Sequence, residues 1–165
     1  MSIETFVVAD THFGHQNICT FSDKHGKPVR PWDTAEEMDE ARITMWNEVV
    51  RPTDKVIHLG DVSIAKRHVA TIGRCHGQKV LVKGNHDKYS LDTYTPWFDN
   101  IHGALEHGKF ILTHIPIMQT DRYVGNIHGH LHSERVDDEW HACVSLEQIG
   151  FRPVPLEEIK GTYFD

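Results

Sequence analysis

The sequence predicts an α/β fold in which two β-sheets pack against each other. In the first half of the chain, apolar β-branched segments alternate with helical segments. In the second half, short apolar segments follow one another with turns between them and little helix. Alternation of strand and helix implies parallel strands with right-handed crossovers, whereas a run of short strands implies a further sheet. We therefore expect both sheets in a single domain that covers residues 1–165.

The composition fits one globular domain of this size. The chain has 165 residues, of which 39% are hydrophobic and 25% charged, and neither kind is segregated into blocks. The apolar segments are too short to span a bilayer, and the start Met1-Ser2-Ile3-Glu4 lacks the basic region of a secretory signal. We therefore expect a cytoplasmic protein without a membrane anchor.

Cysteine content and charge restrict the function further. Cys19, Cys75 and Cys143 are widely separated and lack a CxxC spacing, which predicts neither a disulfide framework nor a zinc knuckle. The formal net charge of −7 argues against an extended nucleic-acid surface, because binding to a phosphate backbone depends on many Lys and Arg contacts. A small phosphorylated substrate is compatible with this charge.

Three buried strands are predicted in the first half, at residues 5–9, 55–59 and 79–83, and polar residues follow each of them. Between the first two, Asp33 with Glu36 three residues later predicts the start of a helix that ends before Arg51-Pro52. A shorter helix is predicted near residues 65–72. Ligands of such sheets bind beyond the carboxyl ends of the strands, which is where the polar residues lie.

Further strands are predicted at residues 110–113, 126–128 and 140–144. They lack intervening helices and follow turns, so we assign them to the second sheet. Neither an internal repeat nor a linker is evident.

Histidine is strongly over-represented, with fourteen residues that do not form a terminal run. Asp10 and His12, and likewise His130 and His132, stand at positions i and i+2, which in extended backbone point to the same side. Asp61 and Asn85 each follow a glycine, whose missing side chain allows close backbone approach. His114 follows the strand at residues 110–113. Each motif alone is weak, but DxH, GD, GNHD, His and GHxH occur in this order, each after an apolar strand.

These motifs resemble those of the calcineurin-like metallophosphoesterases, in the same order and over nearly the whole chain. The chain is also similar to a small phage and bacterial branch of that superfamily. That narrower resemblance rests on Asp10-Thr11-His12-Phe13-Gly14-His15, Asn17-Ile18, Glu37-Met38-Asp39-Glu40 and Trp46-Asn47.

The resemblance implies a four-layer αββα sandwich of two mixed β-sheets flanked by helices, with two divalent metal ions at the strand ends. Manganese is the first choice, and Fe, Ni, Co or Zn also suit mixed oxygen and nitrogen ligands. One ion would be held by Asp10, His12 and His132. The other would be held by Asn85, His114 and His130, and Asp61 would bridge the two.

The charge of such a site favours an anionic phosphoester. Two divalent cations contribute +4, whereas Asp10, Asp61 and a metal-bridging hydroxide contribute −3, which leaves +1. Paired ions about 3.5 to 4 Å apart activate the hydroxide and hold the phosphoryl oxygens during in-line displacement.

His86, next to Asn85, is the predicted catalytic residue, which as an imidazolium would stabilise charge or protonate the leaving oxygen. Asp87 either orients a histidine or caps the turn. The loop after the first strand supplies the candidate substrate-binding residues His15, Asn17 and Arg30. His58 and His128 lie inside strands and are assigned to packing or to support of the site.

The sequence also departs from other branches of the superfamily. The protein Ser/Thr phosphatases have GDxxDRG, but Ile64 stands here at the position of the acid that partners their catalytic histidine. A protein-phosphatase role is therefore not expected. The chain also lacks room for the additional segments of the DNA-processing nucleases. A small phosphodiester, such as a cyclic nucleotide or another nucleotide-derived ester, is the expected substrate.

Alternative functions remain open at this point. A phosphomonoesterase acting on a small molecule would use the same ligands, and a non-catalytic metal-binding interaction scaffold would keep the fold alone. A mononuclear zinc hydrolase needs only three protein ligands and an open position, for which seven candidates are too many.

Overall fold

A computed structural model of the chain describes residues 2–164. Met1 and Asp165 lie outside the described residues. The predicted domain of residues 1–165 contains both of them, and the prediction that the chain has no secretory signal was based in part on Met1. No helix within the described part is both long and apolar enough to cross a bilayer.

The strands form two mixed sheets, as the sequence predicts. The strands of the described residues are β1 Thr5–Val8, β2 Lys55–His58, β3 Gln78–Val82, β4 Asn100–His102, β5 Leu105–His107, β6 Phe110–Thr113, β7 Gly125–His128, β8 His141–Cys143 and β9 Val154–Pro155. The first sheet has the order β4-β3-β2-β1-β9, in which β1 to β4 are parallel and β9 is antiparallel to β1. The second sheet has the order β5-β6-β7-β8, in which only β5 is antiparallel. The α/β class with two sheets is confirmed.

Within residues 2–164, two α-helices and four 3-10 helices connect or follow these strands. The α-helices are α1 Ala35–Val49 and α2 Leu156–Tyr163, and the 3-10 helices are Gln16–Thr20, Lys66–Arg74, Leu91–Thr93 and Leu146–Gln148. The predicted helix at residues 65–72 is thus a 3-10 helix. The expectation of little helix in the second half was wrong for α2, where Leu156 and Ile159 are buried.

The start of α1 differs by one residue from the prediction. Thr34, not Asp33, is the N-cap, and its side chain accepts a hydrogen bond from the backbone N–H of Glu37 at 3.1 Å. Thr34 and Glu37 have the spacing of a capping box. Asp33 precedes this position, and its backbone carbonyl accepts a bond from Gln16 instead.

Successive side chains along the strands of the first sheet point to opposite faces, and each face packs into a different hydrophobic cluster. Phe6 and Val8 of β1 face outward, onto Ile43 and Trp46 of α1 and the 3-10 helix Lys66–Arg74. Val7 and Ala9 face the second sheet, with the cluster Ile57, Leu59, Val82, Leu112, Ile127, Ala142, Val144, Leu156 and Ile159. The core between the sheets therefore includes α2.

The two sheets meet at the carboxyl end of β1. Ala9 bridges to Ser145, and the backbone N–H of Ala9 donates to the carbonyl of Val144 at 3.0 Å. Just beyond, the backbone N–H of Asp10 donates to the carbonyl of Gly60 at 2.9 Å. Loops from both sheets thus converge at one edge of the sandwich.

Candidate metal centre

The ligand-type side chains predicted from the sequence converge at this edge in two groups. One group is Asp10, His12 and His132, and the other is Asp61, His114 and His130. In each group, one ligand atom per residue lies within 4.8 Å of the others, which is close enough for a single cation to contact all three.

Asp61 lies between the two groups. Its Oδ2 is 3.3 Å from Nε2 of His114 and 3.6 Å from Nε2 of His12. Asn85 extends the second group, because its Oδ1 is 2.9 Å from the same Nε2 of His114. The structure therefore brings all seven predicted ligands together, with Asp61 at the position expected of a bridging carboxylate.

The backbone of the ligand residues is held in an unusual conformation. Six non-glycine residues of the described chain have positive φ angles, and five of them are predicted ligands: Asp10 (61°), His12 (45°), Asp61 (58°), His130 (72°) and His132 (52°). A left-handed non-glycine residue costs of order 1–3 kcal/mol and persists only where the surroundings enforce it. Such strain is typical of functional sites.

Glycines beside the ligands allow the loops to approach closely. A Cβ on Gly84 would lie 2.2 Å from Oδ1 of Asp61, and one on Gly129 would lie 2.6 Å from Oδ2 of Asp10. A Cβ on Gly60 would lie 2.4 Å from the backbone nitrogen of Gly84. The glycines of GD, GNHD and GHxH are therefore required for the convergence of the loops, since any side chain would displace a ligand or backbone.

Hydrogen bonds from surrounding groups orient the ligands. Oδ2 of Asp10 accepts from the Ser145 hydroxyl at 2.6 Å and from the backbone N–H of His130 at 2.8 Å. Nδ1 of His114 lies 2.7 Å from the carbonyl of Leu59, and Nδ1 of His132 lies 3.1 Å from Oε1 of Glu147. Nδ1 is thereby engaged in both histidines, which leaves Nε2 for a metal, as is usual in metal sites.

The polar atoms that remain fit a cation. Oδ1 of Asp10 and both ring nitrogens of His12 are buried and have no hydrogen-bond partner among residues 2–164. Burial of such atoms without a partner is costly, and a cation in contact with Oδ1 and a ring nitrogen would satisfy them. The oxygen and nitrogen donors match the ligand preferences of divalent transition metals.

The pKa values of the two carboxylates and of His12 suit metal binding, whereas those of His114 and His132 oppose it. Burial acts to raise the pKa of Asp10 and of Asp61, but the adjacent imidazoles outweigh it and hold both pKa values below the usual range. Burial lowers the pKa of His12. For His114 and His132, burial is outweighed by Asp61 and Glu147 respectively, and their pKa values are raised. A metal would therefore compete with protons at these two histidines, and its binding would weaken as the pH falls.

Arg30 has a different role from the expected contact with substrate. Its guanidinium is buried and donates to Oε1 of Glu147 at 2.8 Å and to the carbonyl of Asp10 at 2.6 Å. It also donates to the carbonyl of Thr11 at 3.2 Å. Because Arg30 is buried and its donors are all bonded to protein groups, it is not free to bind a substrate. The prediction that Arg30 binds substrate was therefore wrong.

The supporting residues were largely missed from the sequence. Ser145 follows β8 and Glu147 lies in the 3-10 helix Leu146–Gln148, and neither residue belongs to a motif. Arg42 of α1 also donates to the carbonyl of Thr11 and pairs with Asp39, whose Oδ2 accepts from the Gly14 N–H at 2.9 Å. Asp39 and Arg42 could have been found from the sequence, because an Asp and an Arg three residues apart on the buried side of a helix indicate an ion pair.

His58 and Asp87 support the loops that carry the predicted ligands. This agrees with the prediction for His58 and with one of the two alternatives for Asp87. Nε2 of His58 is 2.9 Å from the Thr11 hydroxyl, and its Nδ1 accepts from the Gly60 N–H at 3.0 Å. Asp87 accepts from the backbone N–H groups of Asp61, Val62 and Gly84. It therefore caps the turn, and no contact with a histidine side chain is recorded for it within the described residues.

His86 and His15 lie beside the ligands, whereas Asn17 does not. The rings of both histidines have centroids 5.6 Å from that of His12, and both side chains line a cavity next to it. Burial, together with the charges of His12 and Arg30, lowers the pKa of His15 to about 4. Asn17 is exposed on the 3-10 helix Gln16–Thr20 and does not line the cavity.

The chain is similar to two proteins, one identified by its sequence and one by its structure. Over 169 aligned residues the chain is 32% identical to the uncharacterized protein MJ1445 of Methanocaldococcus jannaschii, covering 93% of this chain and 88% of the relative. The chain belongs to the family of MJ1445. Comparison with protein-family models gave no match.

A solved structure shares the fold. The protein of unknown function AQ665 from Aquifex aeolicus superposes with a TM-score of 0.76 at 25% sequence identity, covering 98% of this chain and 100% of that chain. This chain therefore has a structural counterpart of matching length.

Proposed function

We propose that this member of the MJ1445 family is a dinuclear metal-dependent phosphoester hydrolase of the calcineurin-like type, acting on a small or nucleotide-derived phosphodiester. One ion would be held by Asp10, His12 and His132 and the other by Asn85, His114 and His130, with Asp61 shared. The observation that carries the proposal is the meeting of two adjoining ligand groups around the Asp61 carboxylate.

The chemistry follows from the arrangement of these side chains. When bound, two such ions polarise the phosphoryl oxygens and lower the pKa of the attacking water. The residues Ser145, Glu147 and Leu59 hold the ligands in place through the hydrogen bonds described above. His86, which belongs to neither group, is positioned to donate a proton to the leaving oxygen or to stabilise charge on the phosphoryl group.

The single negative charge of a phosphodiester matches the net charge of +1 expected for the site with both ions and the hydroxide bound. Asp10 and Asp61 are the only carboxylates in the two ligand groups, and Glu147 is paired with Arg30. A phosphodiester brings one negative charge, whereas a phosphomonoester at neutral pH brings about 1.5 to 2. Within the described residues, no Lys or Arg lines the adjacent cavity to offset the additional charge.

Two alternatives keep the same fold and are separated by experiment. A phosphomonoesterase would hydrolyse monoesters faster than diesters, and a non-catalytic scaffold would bind metal without turnover. The presence of all seven ligands, five of them in strained backbone, favours the enzyme, because a scaffold has no need of a strained polar cluster. Manganese is the proposed metal and the cytoplasm the proposed location.

The decisive experiment combines metal counting with a substrate screen. Metal-free protein is titrated with Mn²⁺, and hydrolysis of bis(4-nitrophenyl) phosphate, 4-nitrophenyl phosphate and cyclic nucleotides is measured. We expect two ions per chain and a higher kcat/KM for the diester. Asp61→Asn should lower kcat/KM by at least about 100-fold and reduce the bound metal, because it weakens the shared ligand.

The matched control is Asp92→Asn, which changes an exposed aspartate on the 3-10 helix Leu91–Thr93. It should leave both measurements unchanged. A single tightly bound zinc, or full metal binding without hydrolysis of any ester, would contradict the proposal.

A further inference from the structure

A cavity of about 330 Å³ opens beside the first ligand group. Its lining is His12, His15, Ile18, Phe21, Ser22, Val29, Ile64, His86 and His132. Two of these residues are predicted metal ligands and one is the candidate catalytic histidine, so a phosphoester held at the metals would place one substituent in this space. The volume lies at the lower end of the usual range for ligand pockets, about 300 to 1,000 Å³.

Apart from its histidines and Ser22, the lining of the cavity is apolar and includes an aromatic ring. Ile18, Val29 and Ile64 provide aliphatic surface, and Phe21 is 49% exposed although it is a large hydrophobic residue. The Phe21 ring packs edge-on against His15, with centroids 6.1 Å apart and an interplanar angle of 82°. An apolar ring that lines the cavity is thereby partly exposed, and aromatic rings of this kind can stack with a flat ligand.

The loop that carries Phe21 is internally hydrogen-bonded. The backbone N–H of Val29 donates to the carbonyl of Phe21 at 2.8 Å, and Ser22 bridges to Pro28. Oδ1 of Asp23 accepts from the backbone N–H groups of His25 and Lys27. The two segments of this loop, residues 21–22 and 28–29, therefore hold Phe21 and Val29 side by side.

The cavity lining is also uncharged apart from its histidines. It contains no Lys, Arg, Asp or Glu from residues 2–164. A second phosphate or a charged substituent would find no partner there and would lose its hydration. A long acyl chain does not fit a space of this volume, whereas a single flat ring does.

We propose that this cavity, which we call the Phe21 pocket, binds a flat aromatic substituent of the phosphodiester, of the nucleobase type, by stacking on Phe21. The proposal rests on the proposed function, since the phosphoryl group is placed at the metal ligands. His15 and Ser22 offer polar atoms at the same wall for the edge of a base.

The test compares two phosphates that differ only in the base. Adenosine 5′-monophosphate and ribose 5-phosphate carry the same charged group, so the ratio of their dissociation constants isolates the contribution of the ring. Binding to the manganese-loaded protein is measured by titration calorimetry. We expect adenosine 5′-monophosphate to bind about tenfold tighter or more, as base stacking on an aromatic side chain predicts.

Variants assign this difference to the pocket. Phe21→Ala should reduce the ratio to about two or less without changing the affinity for ribose 5-phosphate, whereas Phe21→Trp should preserve it. Leu91→Ala, which truncates an exposed apolar side chain that does not line the pocket, is the matched control and should leave the ratio unchanged.

The outcomes separate this inference from the proposed function. If the protein hydrolyses bis(4-nitrophenyl) phosphate but binds both phosphates equally, or if Phe21→Ala keeps the full ratio, the assignment of the pocket is overturned and the hydrolase stands. If neither phosphate binds and no ester is hydrolysed, both proposals are overturned.

Discussion

The side chain of His86 lies beside the two ligand groups without belonging to either. Its backbone N–H donates to Oδ1 of Asp61 at 2.9 Å, which fixes the residue next to the shared carboxylate. Ile64 lines the same cavity as His86. The position of His86 also depends on the turn capped by Asp87.

Replacement of His86 separates catalysis from metal binding. His86→Ala should lower kcat for bis(4-nitrophenyl) phosphate by about 100-fold or more, since a positioned acid or base contributes about 10² to 10⁴. The Mn²⁺ dissociation constants, measured by calorimetry, should change by less than about threefold. His25→Ala, at an exposed histidine, is the control. A loss of metal equal to the loss of rate would instead make His86 a ligand.

Glu147 is the residue through which Arg30 and His132 are connected. It is buried, and its Oε1 accepts from Nε of Arg30 at 2.8 Å and lies 3.1 Å from Nδ1 of His132. Burial acts to raise the pKa of Glu147, but Arg30 and His132 outweigh it and the pKa is lowered. The carboxylate is therefore ionised at neutral pH and orients a ligand of the first group.

Glu147→Gln should weaken Mn²⁺ binding by about 10- to 100-fold, which is typical of the loss of a residue that orients a ligand. It should also destabilise the metal-free protein by about 3 to 5 kcal/mol, because Arg30 is left buried without its charge partner. Calorimetry and urea unfolding measure the two effects. Glu158→Gln on the exposed side of α2 should change the free energy of unfolding by less than about 0.5 kcal/mol. Unaltered metal affinity in Glu147→Gln would contradict the role.

Single residues were predictable where a motif marks a strand end. Asp10, Asp61, Asn85 and His114 follow apolar strands, and the ends of neighbouring parallel strands meet at one edge. Glu147 is brought to the site by the pairing of the two sheets near Ser145, which no local pattern encodes. The burial of Arg30 was equally hidden, since a loop arginine is ordinarily exposed.

At the scale of elements, the cap of α1 shows how a boundary prediction fails by one residue. Asp33 and Thr34 are both good N-cap residues, and Glu36 and Glu37 both suit the capping box. The choice is made by tertiary structure, because the Ala35 N–H donates to Oε1 of Gln16 and the Asp33 carbonyl accepts from the same side chain.

Thr34→Ala should therefore lower the free energy of unfolding by about 1 kcal/mol, because the Glu37 N–H loses its acceptor. Asp33→Ala should cost only a few tenths of a kcal/mol, which is the contribution of a charge near a helix N-terminus. Urea unfolding of the two variants under the same conditions measures the difference. A larger loss of stability for Asp33→Ala than for Thr34→Ala would instead identify Asp33 as the N-cap.

The elements that the sequence did not predict are short or weakly patterned. β4 and β5 have three residues each and β9 has two, so an alternation of apolar and polar residues is not established in them. In α2, Gly161 lowers helix propensity, and the helix is stabilised by the burial of Leu156 and Ile159 against the core between the sheets. Longer strands such as β3 were predicted because their apolar β-branched residues form a continuous run.

For the whole molecule, the neutral form of a buried histidine links stability to pH. Burial lowers the pKa of His58 to about 3, below its ordinary value of 6.5. Its Nδ1 accepts from the Gly60 N–H, so protonation of the ring would break that bond. Because the unfolded chain takes up the proton more readily, this contribution to stability is complete above pH 6.5 and is lost as the pH falls toward about 3.

We expect the metal-free protein to lose about 2 kcal/mol from His58 alone between pH 7 and pH 5, at about 1.4 kcal/mol per pH unit below 6.5. His58→Gln, which does not titrate, should show a correspondingly smaller loss. Urea unfolding in the presence of a chelator, at both pH values, gives the comparison. Equal losses in the two proteins would mean that His58 is not held neutral.

The left-handed backbone at Asp10, His12, Asp61, His130 and His132 has a consequence for how this family can be engineered. Glycine adopts such angles without steric cost. Glycine at any of these positions would therefore relieve the backbone strain but remove a predicted metal ligand. Variants selected only for heat resistance would therefore tend to drift toward inactive proteins with relaxed loops. Selection for thermostable relatives should accordingly be carried out under a simultaneous demand for turnover.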